Sequence, residues 1–553
     1  MLDASILALL AVVVLIVVTG GGVIEVAGMR VRARTVENPI WILAAAITLR
    51  YATRFWSPFL CIKRWPVEAL IAAGLRLVVD WIPVRATGVF RRPWLGLAVV
   101  GCVAFLLKVF LASTSPGFFS GDDVEIHEMS MGVLLGTHWS VWDLRSAFFP
   151  MVFIYPAQRV ALAFGGSGPD TLVLAGRVMV AFISTAVIPL TWLAARRLAP
   201  ADPRLAALAV LFVTLNKLHI SFGSSELPRP VSSVFVAAAF LCILLDRRLL
   251  TSAAAGTLLG TAAAFRFSEA LFVPAAILTL GRKRFSARAA ILLLTTALAV
   301  VGISAAADAW YWGSPMSSVA AAIDYTLVQR QSSRGYEPPW EYLWIIPAWS
   351  TFLFVALAIG GSARRHPDSW WLWVPIALLS LLPHKESRYL IPMMPFLSIA
   401  SARGFLRAVA WIRASADAPG WRRWSRELFA PVLLLSVLHD MGGWRLVRSN
   451  EGVRLAQYLR ASGSSGIAVQ DLWRLGGRPY LSQHQPLVEV SPELLTDTGA
   501  AAAAVAETKW VALRARTARI VGDSVLPSLG FERDDSWRGE DYVLYVRRAQ
   551  RMH

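Results

Sequence analysis

Apolar runs long enough to cross a membrane recur along this chain, and they leave few options for its fold. A helix needs roughly 20 apolar residues to span a hydrocarbon core, fewer where it is short or packed inside protein. Candidate spans fall at 4–24, 93–113, 172–195, 204–221, 231–245, 250–265, 269–281, 287–306, 342–361, 369–383, 388–409 and 427–441. The first follows Asp3 and precedes Arg30, Arg32 and Arg34. A cleavable signal has the reverse charge order, so this run reads as a retained span with its N-terminus outside. Hydrophobic residues make up 56% of the 553 positions and charged residues 16%. Soluble domains of this length are far more polar.

The net charge of +18 would suit nucleic acid if basic residues lined one folded face. Here they sit in short clusters between apolar runs, which excludes that partner and indicates the bilayer instead. Arg91 and Arg92, Arg196 and Arg197, Arg247 and Arg248, Arg282 to Arg284, Arg364 and Arg365, and the stretch from Arg403 to Arg426 all fall on one side of the alternating spans. That side is the cytoplasm, because short cytoplasmic loops collect Lys and Arg. Loops 114–171, 222–230, 307–341 and 384–388 then lie on the opposite side, as does the tail 445–553. The tail holds strand-like runs, "GIAVQDLW", "PLVEV", "KWVALRA" and "DYVLYVRR", between helix-like segments.

The expected fold class is therefore an all-α polytopic membrane protein of about 12 transmembrane helices with a C-terminal extracytoplasmic α/β domain. Residues 1–92 form the first span and basic interfacial helices carrying Trp41, Trp56, Trp65 and Trp81. Residues 93–444 form the transmembrane domain with the large outer loop 114–171, and 445–553 the α/β domain. Cys61, Cys102 and Cys242 have no ligand spacing and read as apolar thiols. Arginine outnumbers lysine and asparagine is almost absent, which points to a bacterial inner membrane with the site facing the periplasm. An endoplasmic reticulum membrane with a luminal site is the alternative.

Chemistry-bearing residues gather on the outer side. Asp122, Asp123, Glu125 and Glu128 open the first outer loop in "GDDVEIHEMSMG", and Asp143 and Arg145 follow among aromatics in "WDLRS". A solvated acidic loop and an aromatic belt would also account for these. His384, Lys385, Glu386 and Arg388 crowd five positions between two spans, whereas snorkelling charges scatter singly. Arg229 and Arg266 lie at outer helix ends, where the positive-inside rule disfavours them, and so suggest a bound anion. Lys108 and Lys217 read as snorkelling residues. Carboxylates and cations converging at an outer leaflet suit transfer of a sugar from a lipid phosphate. Such a step needs a base for the acceptor hydroxyl and cations for the leaving phosphate, and requires neither metal nor other cofactor.

These residues resemble the GT-C glycosyltransferases of family 22, the polyprenyl- and dolichyl-phosphate-mannose-dependent mannosyltransferases of the GPI-anchor and N-glycan pathways. The resemblance runs from about 93 to 410 through the acidic first loop, "WDLRS", "AAFRF", "DAWYWGSPMSS" and above all "HKESRYLIPMMPF". It implies an inverting transfer of mannose from a polyprenyl-phosphate donor to a lipid- or glycan-linked acceptor. Asp122 is implied as general base, with Asp123 in contention because "GDD" stands where the family reads Pro-Asp-Glu. His384, Lys385, Arg388 and Arg266 are implied to face the donor phosphate. Glu386 would orient them, and Glu128, Asp143, Arg145 and Arg229 would support the acceptor or the structure. Another sugar, a protein acceptor, or a lipid or oligosaccharide transporter are the competing functions; a transporter places charges near the midplane, whereas these crowd one face.

Overall fold

The computed structural model describes residues 2–19, 22–26, 29–33, 36–56, 73–74, 76, 82–115, 117–136, 141–245, 248–280, 287–329, 337–414, 421–444, 450–463, 466–472, 476–481 and 486–548. Among them five helices are long and apolar enough to cross a membrane: Pro93–Thr114, Pro169–Leu198, Pro228–Leu245, Ala287–Tyr311 and Ser387–Ala414. Shorter apolar helices fill the spaces between them. The chain is a multi-pass membrane protein, and several of the expected spans prove to be interrupted.

Each interruption has a local cause. The expected span 204–221 breaks at Asn216, whose side-chain oxygen accepts from the backbone of Leu218 at 3.0 Å and His219 at 3.3 Å, starting a new helix at Lys217. The span 342–361 splits into Glu341–Trp349 and Phe352–Gly361, with Thr351 capping the second. The span 269–281 opens as a 3-10 turn, Phe267–Leu271, before the helix Phe272–Leu280. The span 388–409 likewise opens as a 3-10 turn, Ser387–Met393, holding Pro392, which cannot donate to a helical ladder. At the N-terminus the helix Leu2–Thr19 stops at the run of glycines 20–22. Strands β1, Gly22–Val26, and β2, Met29–Ala33, then pair antiparallel. Residues 29–33 are thus a strand and not part of the interfacial helices expected over 30–92. The helix Glu37–Trp56 and the short helix Ile82–Val89 do form, while the segment around Trp65 and Trp81 lies outside the described residues.

Packing inside the membrane relies on small residues. A Cβ on Gly361 would lie 1.9 Å from the carbonyl oxygen of Ala400, and one on Gly404 would lie 1.9 Å from that of Leu357. The two backbones therefore touch at a glycine on each side, the usual way helices approach where lipid is as apolar as their own side chains. Lys108 does not snorkel as expected. Its side chain is 0% exposed, with its ammonium 2.9 Å from Ser184 Oγ and 3.1 Å from His219 Nε2.

The loop 114–171, expected on the outer side, is itself largely helical. Ser120 and Asp123 form a capping box that starts the helix Gly121–Leu135, and Pro150–Ala163 forms a second helix. In the tail, β3 (Ile467–Val469), β4 (Leu487–Glu489), β5 (Trp510–Arg514), β6 (Phe531–Arg533) and β7 (Tyr542–Arg547) make one sheet in the order β4-β3-β5-β7-β6. The four strand-like runs of the sequence supply β3, β4, β5 and β7. One side of this domain shares a core with the outer loop, as Phe118 and Val124 pack with Val453, Leu472, Tyr480 and Trp510.

Candidate active site

The helix Gly121–Leu135 carries the acids, and its geometry sorts them. Asp122 and Glu125 are one turn apart and share Arg145, whose Nη2 lies 2.5 Å from Asp122 Oδ1 while its Nε donates to Glu125 Oε2. Asp123 points elsewhere. Its oxygens accept from the backbone of Phe119 at 2.9 Å and of Ser120 at 2.7 Å, and it is 1% exposed, so its carboxylate closes the helix cap. Glu128 is held by Arg478 from the C-terminal domain through both oxygens.

Asp122 is the centre of the cluster. Besides Arg145, Arg266 Nη2 lies 3.0 Å and Arg388 Nη1 2.9 Å from its Oδ2. Three chain segments, around 145, 266 and 388, thus bring guanidinium groups to one carboxylate. Burial alone would raise the Asp122 carboxyl, but Arg388, Arg145, Arg266 and Arg229 outweigh it and hold the group well below the usual carboxylate range. Glu125 is the opposite case. Burial pushes its carboxyl up from the ordinary value although Arg145 pulls against it.

The second motif divides. Arg388 donates from Nε to Glu386 and from Nη1 to Ser120 Oγ at 2.9 Å, and His384 Nε2 lies 3.0 Å from Glu386 Oε1. Burial would raise the Glu386 carboxyl, but the His384 hydrogen bond and Arg388 bring it down to about 2. Glu386 thus engages both Arg388 and His384. Lys385 does not join them. Two of its three ammonium donors go to the carbonyl oxygens of Glu337 at 2.9 Å and Leu382 at 2.7 Å, which ties residue 337 to the motif. Arg229 is 3% exposed and lies with its guanidinium 4.0 Å from the Tyr389 ring centroid. Among the described residues it has no carboxylate partner, only the Ser268 hydroxyl at 3.4 Å, and its Nε is buried without a partner. Asp143 is exposed and has no partner among the described residues.

Two features lay outside the sequence reading. Glu125 was one of four neighbouring acids with no role of its own until Arg145 folded back onto it. Behind the helix, His127 Nδ1 meets Glu226 Oε2 at 2.9 Å and Gln158 Nε2 at 3.2 Å, a buried polar cluster that pins the acid-bearing helix to the loop before Pro228 and to the second outer helix. Among the described residues no group of His, Cys, Asp and Glu is arranged to hold a metal ion.

Comparison with known proteins places this geometry. Two curated relatives are the probable Dol-P-Man:Man(7)GlcNAc(2)-PP-Dol alpha-1,6-mannosyltransferase of Schizosaccharomyces pombe and the alpha-1,2-mannosyltransferase ALG9 of Arabidopsis thaliana. The first is 28% identical over 211 residues, 36% of this chain and 37% of that protein. The second is 24% identical over 287 residues, 49% of each. The chain thus spans about half or less of the length of the curated relatives it matches. Among solved structures, ArnT from Cupriavidus metallidurans bound to undecaprenyl phosphate superposes with a TM-score of 0.51 at 13% identity, covering 82% of this chain and 98% of ArnT, and gives the GT-C fold. The profile of the Alg9-like mannosyltransferase family matches residues 126–441, more than half of the sequence and the span that holds Arg145, Arg229, Arg266 and the "HKESR" motif. This chain belongs to the Alg9-like mannosyltransferase family.

Proposed function

We propose that the protein is an inverting mannosyltransferase that takes mannose from a polyprenyl-phosphate donor and passes it to a lipid- or glycan-linked acceptor on the non-cytoplasmic side of the membrane. The observation that carries this reading is Arg229, a buried guanidinium without a carboxylate partner among the described residues, beside two more that converge on Asp122. Arg229, Arg266 and Arg388 present N–H donors to a common region, which suits the oxygens of a phosphate. The family supports mannose as the sugar, and the yeast relative is named for a Dol-P-Man donor.

In the reaction the acceptor hydroxyl oxygen attacks the anomeric carbon on the face opposite the phosphate. The bond from that carbon to the phosphate oxygen breaks, and the polyprenyl phosphate leaves with the electron pair. Guanidinium groups stabilise the charge that builds on it, so neither a general acid nor a divalent metal is required. A carboxylate of the Gly121–Leu135 helix receives the acceptor proton, a role the family resemblance gives to Asp122. Lys385, bound to two carbonyls, holds the outer loop rather than the phosphate.

The test is incubation of purified protein with polyprenyl-phosphate-mannose and a membrane lipid extract, read by mass spectrometry. A hexose increment on one lipid class is expected. Arg229→Gln and Arg388→Gln should each lower donor affinity on the order of ten- to a hundredfold, the worth of a charge-assisted hydrogen bond of about 1.5–3 kcal/mol. Unchanged donor affinity in both variants would reject the phosphate site. The proposal concerns the face of the membrane, since the curated relatives come from a yeast and a plant and lend the bacterial inner membrane no support. A cysteine in place of Thr498 should react with an impermeant thiol reagent on the non-cytoplasmic side only, and labelling from the cytoplasm would reverse the topology.

A further inference from the structure

We propose that Glu125, not Asp122, is the carboxylate that accepts the proton of the acceptor hydroxyl, while Asp122 holds the arginines that receive the donor phosphate. This assignment rests on the transferase reading above and changes the base within it.

A base needs an oxygen that is free to meet the incoming proton. Asp122 offers a poor one, because its oxygens already accept from Arg145 at 2.5 Å and Arg266 at 3.0 Å and face the Arg388 guanidinium at 2.9 Å. Protonating it would weaken three ion pairs at once and leave arginines facing one another. Asp123 is engaged with the helix cap. Glu128 has both oxygens on Arg478 and a side chain 2% exposed. Glu386 has one oxygen on Arg388 and the other on His384. Asp143 is exposed and outside the arginine group.

Glu125 differs from all of these. Only its Oε2 is engaged, by Arg145, and Oε1 has no hydrogen bond among the described residues. Its side chain is 16% exposed, much as the 14% of Asp122, and it stands one helical turn from Asp122 on the same arginine, so what sets the two apart is the uncommitted oxygen. Burial raises its proton affinity where the arginines lower that of Asp122. Two neighbouring carboxylates whose environments drive them apart is the arrangement that separates an acid–base group from an electrostatic one.

The step balances without any further reactant. The acceptor O–H bond breaks as the new bond to the anomeric carbon forms, the proton passes to Glu125 Oε1, and the polyprenyl phosphate departs as the anion held by the arginines. Glu125 then returns its proton to water.

The experiment compares wild type, Glu125→Gln, Glu125→Asp and Asp122→Asn, measuring transfer from polyprenyl-phosphate-mannose at saturating acceptor, binding of polyprenyl phosphate, and the pH dependence of kcat. Glu125→Gln should lower kcat by about a hundredfold or more, the usual scale of general-base loss. Its affinity for polyprenyl phosphate should stay within about twofold, because no phosphate donor has been removed. The acid limb of kcat should vanish from its residual rate and persist in that of Asp122→Asn, whose phosphate affinity changes instead. Glu125→Asp, which keeps the carboxylate, should recover part of the rate and guards against a folding artefact. A Glu125→Gln enzyme with more than about a tenth of the wild-type rate, or one that loses phosphate affinity in step with turnover, would overturn the assignment. Failure of the wild type to transfer mannose at all would instead remove the transferase reading, and this assignment with it.

Discussion

Arg478, from the C-terminal domain, grips both oxygens of Glu128 on the helix that carries Asp122 and Glu125. The pair is nearly dry, with side-chain exposures of 11% and 2%. Around it Tyr480 accepts from the backbone of Gly117 at 3.1 Å through its hydroxyl oxygen, and Asp170 accepts from Arg460 at 2.8 Å. A Cβ on Gly476 would stand 2.7 Å from the backbone nitrogen of Phe118, so the two surfaces meet closely there. The domain lies beyond the residues matched by the family profile, yet it fixes the helix that carries Asp122 and Glu125.

Arg478→Ala should therefore be costly. It strands a buried carboxylate, a change worth about 3–5 kcal/mol where such pairs have been broken. Thermal unfolding in detergent should show the loss, and replacing both partners, Glu128→Leu with Arg478→Leu, should restore most of it. A single Arg478→Ala variant as stable as wild type would mean that the apolar cluster alone docks the domain.

Asp123→Ala should cost stability and not chemistry. Its carboxylate accepts from two backbone N–H groups at the start of the helix, and loss of a helix cap costs about 0.5–2 kcal/mol. The variant should melt earlier but turn over at a rate close to wild type once folded. A well-folded, inactive Asp123→Ala would return this residue to contention as the base.

How much of this was legible in the sequence differs from residue to residue. Asp122, Arg145, Arg229, Arg266, Glu386 and Arg388 stood out because charged groups at outer span ends defy the membrane's preferences. What no spacing could reveal was that one carboxylate takes three of the arginines, since residues 145, 266 and 388 meet only through the tertiary fold. Lys385 looked like a phosphate ligand by its neighbours, but the two carbonyls that bind it are fixed by the path of the loop. Arg478 carried no signal at all, because its partner is 350 positions away. In the fold, the alternation in "MRVRA" and the glycines ahead of "GVIEV" are the marks of the β1–β2 hairpin, which the apolar run before them overshadows. The breaks at Asn216 and Thr351 were similarly hidden inside runs apolar enough to read as continuous.

Gly404→Ala tests the packing of the transmembrane core. The added methyl would meet the Leu357 carbonyl oxygen at 1.9 Å, and neither helix can yield without shifting Gly361 away from Ala400. Overpacking of this kind costs about 1–3 kcal/mol. Thermal stability in detergent should fall for Gly404→Ala, whereas Gly302→Ala, where a Cβ meets nothing within 4 Å, should be neutral or stabilising. Equal behaviour of the two would show that the backbones are not in contact.

The arginine cluster also dictates how stability responds to acid. Against burial, which would raise it, the Asp122 carboxyl is held down in the folded protein by Arg388, Arg145 and Arg266, whereas in the unfolded chain an aspartate titrates near about 4. The unfolded chain therefore takes up this proton first as pH falls. Its contribution to stability is complete above about pH 4 and is lost as the pH drops below that towards the folded value. Glu386, brought down to about 2, acts in the same direction. Glu125 and Glu128, which burial raises, act oppositely, their contribution being complete below about pH 4 and declining as pH rises through their folded values. Total stability mixes these trends, but the difference between wild type and Asp122→Asn isolates the first. The gap in Tm between the two should be large and constant near neutral pH, with the variant less stable because its arginines have lost their shared counter-charge. It should narrow steadily below about pH 4, as the unfolded wild-type chain takes up the proton that the folded carboxylate still refuses. Thermal unfolding of both proteins in one detergent across this range reads it directly, and a gap that widens on acidification would mean that Asp122 is not the anion that holds Arg145, Arg266 and Arg388 together.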